Sequence, residues 1–344
     1  MMKSPIRILR TSMVVGGAFL LLGPGAVFSA ARQQKPEQQP PAGIRATPLE
    51  ITWLYVQPST TSQKMSQIQI GREMAVMEKS GSWLNVEANI DTEHIGSDMD
   101  RPVIGSETAP PLSGWMEAKG IVATNTPDGD QILMGAAANE EALASHPSGP
   151  ANAANAALLL YTRLYQMFPN SPLAPQARWR AADIQWQIQK ADVSTLPSSK
   201  AQQPYLHEQL DGTALRKVIK MYPGTRWAAL AAFDLIDNQL CGQWEGSVKC
   251  PERESGIYEK YAERYPNGPR TARALFEAAY REAVLTNMYT IKGDKSKADK
   301  AREQCRALAK ALEKQFPHDD YTWRAGMRVF KLDQGIPVIG FEEG

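Results

Sequence analysis

The sequence predicts a multidomain α+β chain: a small antiparallel β-barrel followed by an all-α array of helical hairpins. Three observations predict it. Residues 48–123 alternate apolar and polar side chains in short runs at hairpin spacing. A phrase of aromatic, proline and two small or polar residues then recurs at Phe168-Pro169, Tyr222-Pro223, Tyr265-Pro266 and Phe316-Pro317. Between these halves, residues 124–150 are rich in Gly, Ala, Asn and Pro and read as a linker. Repetition of this kind marks units that cannot bury their apolar stripe alone, and stacked units commonly form partner-binding surfaces.

The N-terminus bears on the compartment. Lys3, Arg7 and Arg10 precede the apolar run Met13 to Leu22, Gly23-Pro24-Gly25 breaks it, and Ser29-Ala30-Ala31 offers small residues for cleavage. Residues 1–31 are thus expected to be a signal peptide, with export to the periplasm or cell envelope. Left uncleaved, the same run is a membrane anchor, the one route to a membrane. The formal charge of +1 becomes about −2 without those three cations, too little positive charge for nucleic acid as the main partner. Residues 32–47, with Gln38-Gln39-Pro40-Pro41, are expected to form a disordered tether.

Within 48–123, Leu49, Ile51, Trp53 and Tyr55, then Ile68 and Ile70, Met74 and Val76, and Trp83-Leu84 with Val86 are separated by Pro-Ser-Thr, Gly-Arg and Ser-Gly-Ser. Leu54-Tyr55-Val56 with Pro58, Gly71 before Met74-Ala75-Val76, Gly81-Ser82-Trp83-Leu84 and Ser113-Gly114-Trp115 resemble, in order and spacing, the bacterial SH3-like domains of secreted envelope proteins. The resemblance implies a small barrel and peptidoglycan as one ligand class. Where such domains have a tight hairpin, a polar insertion spans 87–113, which either covers or rebuilds a neighbouring groove.

In the helical half (151–332, before a tail at 333–344) the prolines set a common frame. Eight, five and one residues before them stand Tyr161, Leu164 and Phe168, then Leu215, Val218 and Tyr222, Tyr258, Tyr261 and Tyr265, and Ala309, Leu312 and Phe316, all on one helical face. Proline stops that helix, because it lacks an amide donor and disfavours helical geometry in the residue before it. Five after stand Ala174, Ala228, Thr271 and Thr322, eight after Ala177, Ala231, Ala274 and Ala325, and ten after Trp179, Phe233, Phe276 and Met327. The small residues let a second helix approach the first closely. This pattern resembles the tetratricopeptide family, over residues 151–330 and with units longer than its usual repeat. The segments Val193–Tyr205 and Met288–Lys297 are expected to be loops with some helical extension.

Six before the proline stand Arg163, Lys217 and Lys260, with Ala311 breaking the column. In tetratricopeptide arrays this helix lines the concave groove, so the column is either a ladder for an anionic peptide or a solvated flank. Tyr161, Tyr165, Tyr258 and Tyr261 are aromatic anchors or core. Trp83 and Trp115 are the candidate partner-binding residues of the barrel. Cys241 and Cys250 bracket a polar, turn-rich segment and are a candidate disulfide, since an exported chain permits oxidation. Cys305, on an expected helix, reads as a small buried hydrophobe.

No catalytic, cofactor-binding or metal-binding residues are assigned. His94, His146, His207 and His318 are scattered and pair with no cysteine as nucleophile and base. His207-Glu208 lacks a second histidine, and Asp98-Met99-Asp100 and Asp128-Gly129-Asp130 lack the remaining ligands of a calcium loop. The expected function is a non-enzymatic exported scaffold that binds a protein or peptide in the bacterial envelope through its helical repeats. The alternatives are a peptidoglycan-binding protein that localises an envelope enzyme or complex, and a cryptic cell-wall hydrolase.

Overall fold

A computed structural model describes residues 43–90, 111–195, 210–242, 244 and 246–340. The expected signal peptide, tether residues 32–42, His94, Asp98-Met99-Asp100 and His207-Glu208 lie outside these residues.

Seven strands form one antiparallel sheet: β1 (Ile44–Pro48), β2 (Thr52–Tyr55), β3 (Lys64–Ile68), β4 (Met74–Ser80), β5 (Trp83–Ala88), β6 (Leu112–Glu117) and β7 (Ile121–Ala123). Their order is β3-β2-β6-β5-β4-β1-β7. With β3 and β7 as edges the sheet is not closed into the expected barrel. Ala46, Leu54, Ile68, Met74, Leu84, Val86, Ala88 and Met116 pack into one core, drawn from β1 to β6. Strand alternation puts these residues on one face and sends Trp83, Asn85 and Trp115 to the other.

Three boundaries differ from the sequence reading. Residues 44–47 belong to β1 rather than to the tether. Arg45, inside the expected tether, donates through its guanidinium to the buried Glu73 carboxylate at 2.7 Å and to the Gln166 side chain at 3.1 Å. The insertion is shorter than 87–113, because β5 and β6 pair Glu87 with Ser113 and Ala88 with Leu112. The expected linker contains helix α1 (Gly129–Ala144), which buries Leu133 and Ala137 against α2. Its weak amphipathic pattern hid it, and packing rather than propensity holds such a helix.

Eight further helices are described: α2 (Ala153–Met167), α3 (Ala174–Thr195), α4 (Thr213–Met221), α5 (Arg226–Asp234), α6 (Lys249–Arg264), α7 (Thr271–Ile291), α8 (Lys295–Gln315) and α9 (Asp320–Asp333). A 3₁₀ turn at Asp237–Gln239 follows α5. Met288–Ile291 continues α7 instead of looping, while 196–205 of the other expected loop lie outside the described residues.

The aromatic–proline phrase ends α2, α4, α6 and α8 in one way. Phe168, Tyr222, Tyr265 and Phe316 all have φ between −132° and −125° and ψ between 54° and 61°. Each still donates its N–H to the carbonyl four residues back, at 2.7–3.0 Å. Hydroxyls then tie the next helix to the turn: Thr225 donates to the Tyr222 carbonyl, Thr271 to that of Tyr265 and Thr322 to that of Phe316. The columns five and eight residues after the prolines are buried in all four hairpins. The second helix of a hairpin also meets the hairpin that follows: α3 packs on α4 and α5, and α7 on α8 and α9.

Replacing Ala231 with Leu inserts a large side chain where no space remains and is expected to cost about 1–3 kcal/mol. Thermal melting of the variant checks this, and an unchanged transition would refute the close-packed column.

Candidate partner-binding surfaces

The cation column does not survive as one surface. Arg163 is 1% exposed. Its Nε donates to the Gly71 carbonyl at 3.0 Å, its Nη1 donates to Gln166 Oε1 at 2.9 Å and it lies 3.8 Å from Glu73. Arg163 is therefore withdrawn as a partner-binding residue. The physical reason is the sheet, whose Gly71 turn rests on α2. Gly71 has φ +76°, and a Cβ there would come within 2.6 Å of Leu159 Cβ, so glycine alone allows this approach. Lys217 is half-buried and Lys260 exposed. Tyr161, Tyr165, Tyr258 and Tyr261 are core residues, not surface anchors, and Tyr261 donates its hydroxyl to the Ala229 carbonyl at 3.0 Å.

A solvent-open recess of about 400 Å³ lies between the second and third aromatic–proline turns. Pro223-Gly224-Thr225 and Tyr265-Pro266-Asn267-Gly268 form its walls, with the exposed Arg226 and Arg264 on its rim. Arg226 opens α5, and Arg264 stands one turn after Lys260 on α6, so the exposed member of the cation column continues into this recess. Two guanidiniums beside turn backbone suit a carboxylate-bearing segment. The proline frame locates the turns in sequence, but their juxtaposition needs the stacking.

A second surface is aromatic. Tyr55 pairs with Trp115 across β2 and β6, and its ring meets Trp83 edge-on at 5.5 Å. Trp53 lies two residues before Tyr55 on the same side of β2, and Lys64 Nζ sits 4.5 Å over its ring. Trp53, Trp83 and Trp115 are half-exposed. Sequence reasoning named Trp83 and Trp115 and passed over Trp53 and Tyr55, although alternation with the buried Leu54 signals their outward face.

Cys241 and Cys250 are joined by a disulfide with Cα atoms 6.0 Å apart. The buried Glu254 organises this loop by accepting from Cys241 N–H at 2.8 Å, Trp244 Nε1 at 3.2 Å and Arg281 Nε at 2.8 Å. Cys305 is buried with its thiol pushed up to about 12, chiefly by burial, so it is a core residue rather than a nucleophile.

Among the described residues, no group of three or more His, Cys, Asp or Glu side chains is placed to hold a metal ion, and no helix is long and apolar enough to cross a membrane. No protein-family model matches the chain, and no curated protein is detectably similar to it.

Several carboxylates are shifted, and Asp234 is shifted far. Burial raises Asp234 from 3.8 to about 7, with Asp183 and Asp237 adding to the rise and Trp179 and Arg270 opposing it, and its Oδ2 is buried without a hydrogen bond. The folded chain thus holds this proton more tightly than the unfolded chain. The stabilisation is complete below about pH 4 and is lost as pH rises through about 7. Asp234→Asn is expected to raise stability over wild type by about 2–4 kcal/mol at pH 8, with the gain shrinking towards pH 5. Paired melting curves across that range check it, and a pH-independent difference would refute it.

Proposed function

We propose that this chain is a non-enzymatic, exported scaffold of the bacterial cell envelope. In this reading the sheet is an SH3-like module, the hairpins are a tetratricopeptide-like array, and the array holds an acidic protein or peptide segment. The observation that carries the proposal is the recess between successive hairpins with Arg226 and Arg264 on its rim. Export rests on the charged and apolar N-terminal run followed by small residues.

Cross-linking in the native cell, followed by mass spectrometry, identifies the partner. Reversing Arg226 and Arg264 to Glu is then expected to weaken its capture at least about tenfold without lowering the melting temperature, and rising salt is expected to weaken wild-type capture. Capture that survives the double reversal would remove the recess from the reading.

The aromatic surface favours a second reading, binding to peptidoglycan. Half-exposed Trp83 and Trp115 offer flat apolar faces to sugar rings, beside Trp53 with the Lys64 ammonium over its ring. Co-sedimentation with purified sacculi is expected to fall for Trp83→Ala with Trp115→Ala and to remain unchanged for the arginine reversals.

A further inference from the structure

The column ten residues after each proline has a constant task in the first three hairpins, which is to meet the hairpin that follows. Trp179 stacks on Trp227 at 5.4 Å, Phe233 meets Tyr258 and Tyr261 at 6.2 and 5.2 Å, and Phe276 meets Tyr321 at 5.5 Å. Positions six and thirteen after the proline flank that contact. There, Ala229, Ala272, Ala182, Ile236 and Ala279 are buried.

In the fourth hairpin the same three positions are Trp323, Met327 and Phe330, which are 63%, 41% and 61% exposed. They form one stripe along α9 at helical spacing, with Gly326 in its centre. A Cβ on Gly326 would meet nothing within 4 Å, so packing inside the chain does not require glycine there. A helix-interior glycine costs about 1 kcal/mol relative to alanine and leaves a notch for close approach from outside. The described chain does not return to cover the stripe. After Asp333 it turns back, buries Val338, offers the Ile339 carbonyl to the Tyr280 hydroxyl at 3.2 Å and lays Gly340 beside Trp244.

We propose that this open seam is a self-association site, occupied by α9 of a second copy in antiparallel, two-fold pairing. The proposal goes beyond the partner-binding reading and does not depend on it. Three features favour a copy as the occupant. The stripe is nearly symmetric about Gly326 and Met327, so a two-fold axis there sets Trp323 of one copy against Phe330 of the other. Asp320 and Asp333 near its ends are already paired, with Arg324 and Arg306, which leaves Asp319 at its start and Lys331 in its last turn, and antiparallel pairing brings these two unlike charges together across the copies. The seam also occupies the frame position that already meets another helix in three hairpins within the chain. Three partly exposed large side chains supply roughly half of the ~800 Å² per partner of a standard interface, so the dimer is expected to be weak and reversible.

Sedimentation velocity of the full chain over a concentration series tests this. Wild type is expected to show a monomer–dimer equilibrium, and Met327→Arg to weaken it at least about tenfold while leaving melting unchanged. Gly326→Cys is expected to cross-link two copies under mild oxidation. Gly135→Cys, on the exposed surface of α1, serves as the control and is expected to stay monomeric. A wild-type chain monomeric up to roughly 100 µM overturns the proposal, whether or not a foreign helix binds the seam. So does association that ignores both Met327→Arg and Phe330→Asp, as pairing through the apolar N-terminal run would.

Discussion

Everything in the helical half depends on one backbone constraint, the proline that follows each first helix. It forces the preceding aromatic out of helical geometry, and Phe168, Tyr222, Tyr265 and Phe316 settle into nearly the same conformation. Because the exit is constant, the second helix returns along a constant path and its residue eight after the proline faces the first helix. Only a small side chain fits there, which accounts for alanine in all four hairpins. The same rotation turns the residue ten after the proline towards the next hairpin, so one local restriction specifies both the hairpin and its stacking.

Two ion pairs with buried carboxylates add charge to the packing at two junctions. Glu73 receives Arg45 and lies beside Arg163, so charge binds the sheet to α2. Glu254 and Arg281 join α6 to α7, and Glu254 also accepts from the disulfide loop through Cys241 and Trp244. Each carboxylate is nearly enclosed, and removing one partner would leave an uncompensated charge.

The hairpins were legible because their signals are local and repeated: proline, small columns, and apolar positions at helical spacing. What the sequence hid were features created by contact between distant segments. Arg163 occupies the same frame position as Lys217 and Lys260, and nothing in that frame tells that a sheet covers the first helix and leaves the third open. Arg45 read as tether because its partner, Glu73, lies 28 residues away. Helix α1 went unseen because its alanines and glycines carry a faint stripe that matters only against α2. The recess at Arg226 and Arg264 depends on two turns 43 residues apart, Pro223 and Pro266, coming side by side.

The array is closed differently at its two ends. At α2 the sheet and α1 cover the first hairpin, while at α9 the seam stands open. In a stack where each unit contacts only its neighbours, local stability follows the number of neighbours. The single chain is therefore expected to carry a gradient, with amide protons of α9 exchanging with solvent sooner than those of α2. A protease would meet the hairpins first at α9, and an occupant of that helix would slow cleavage there.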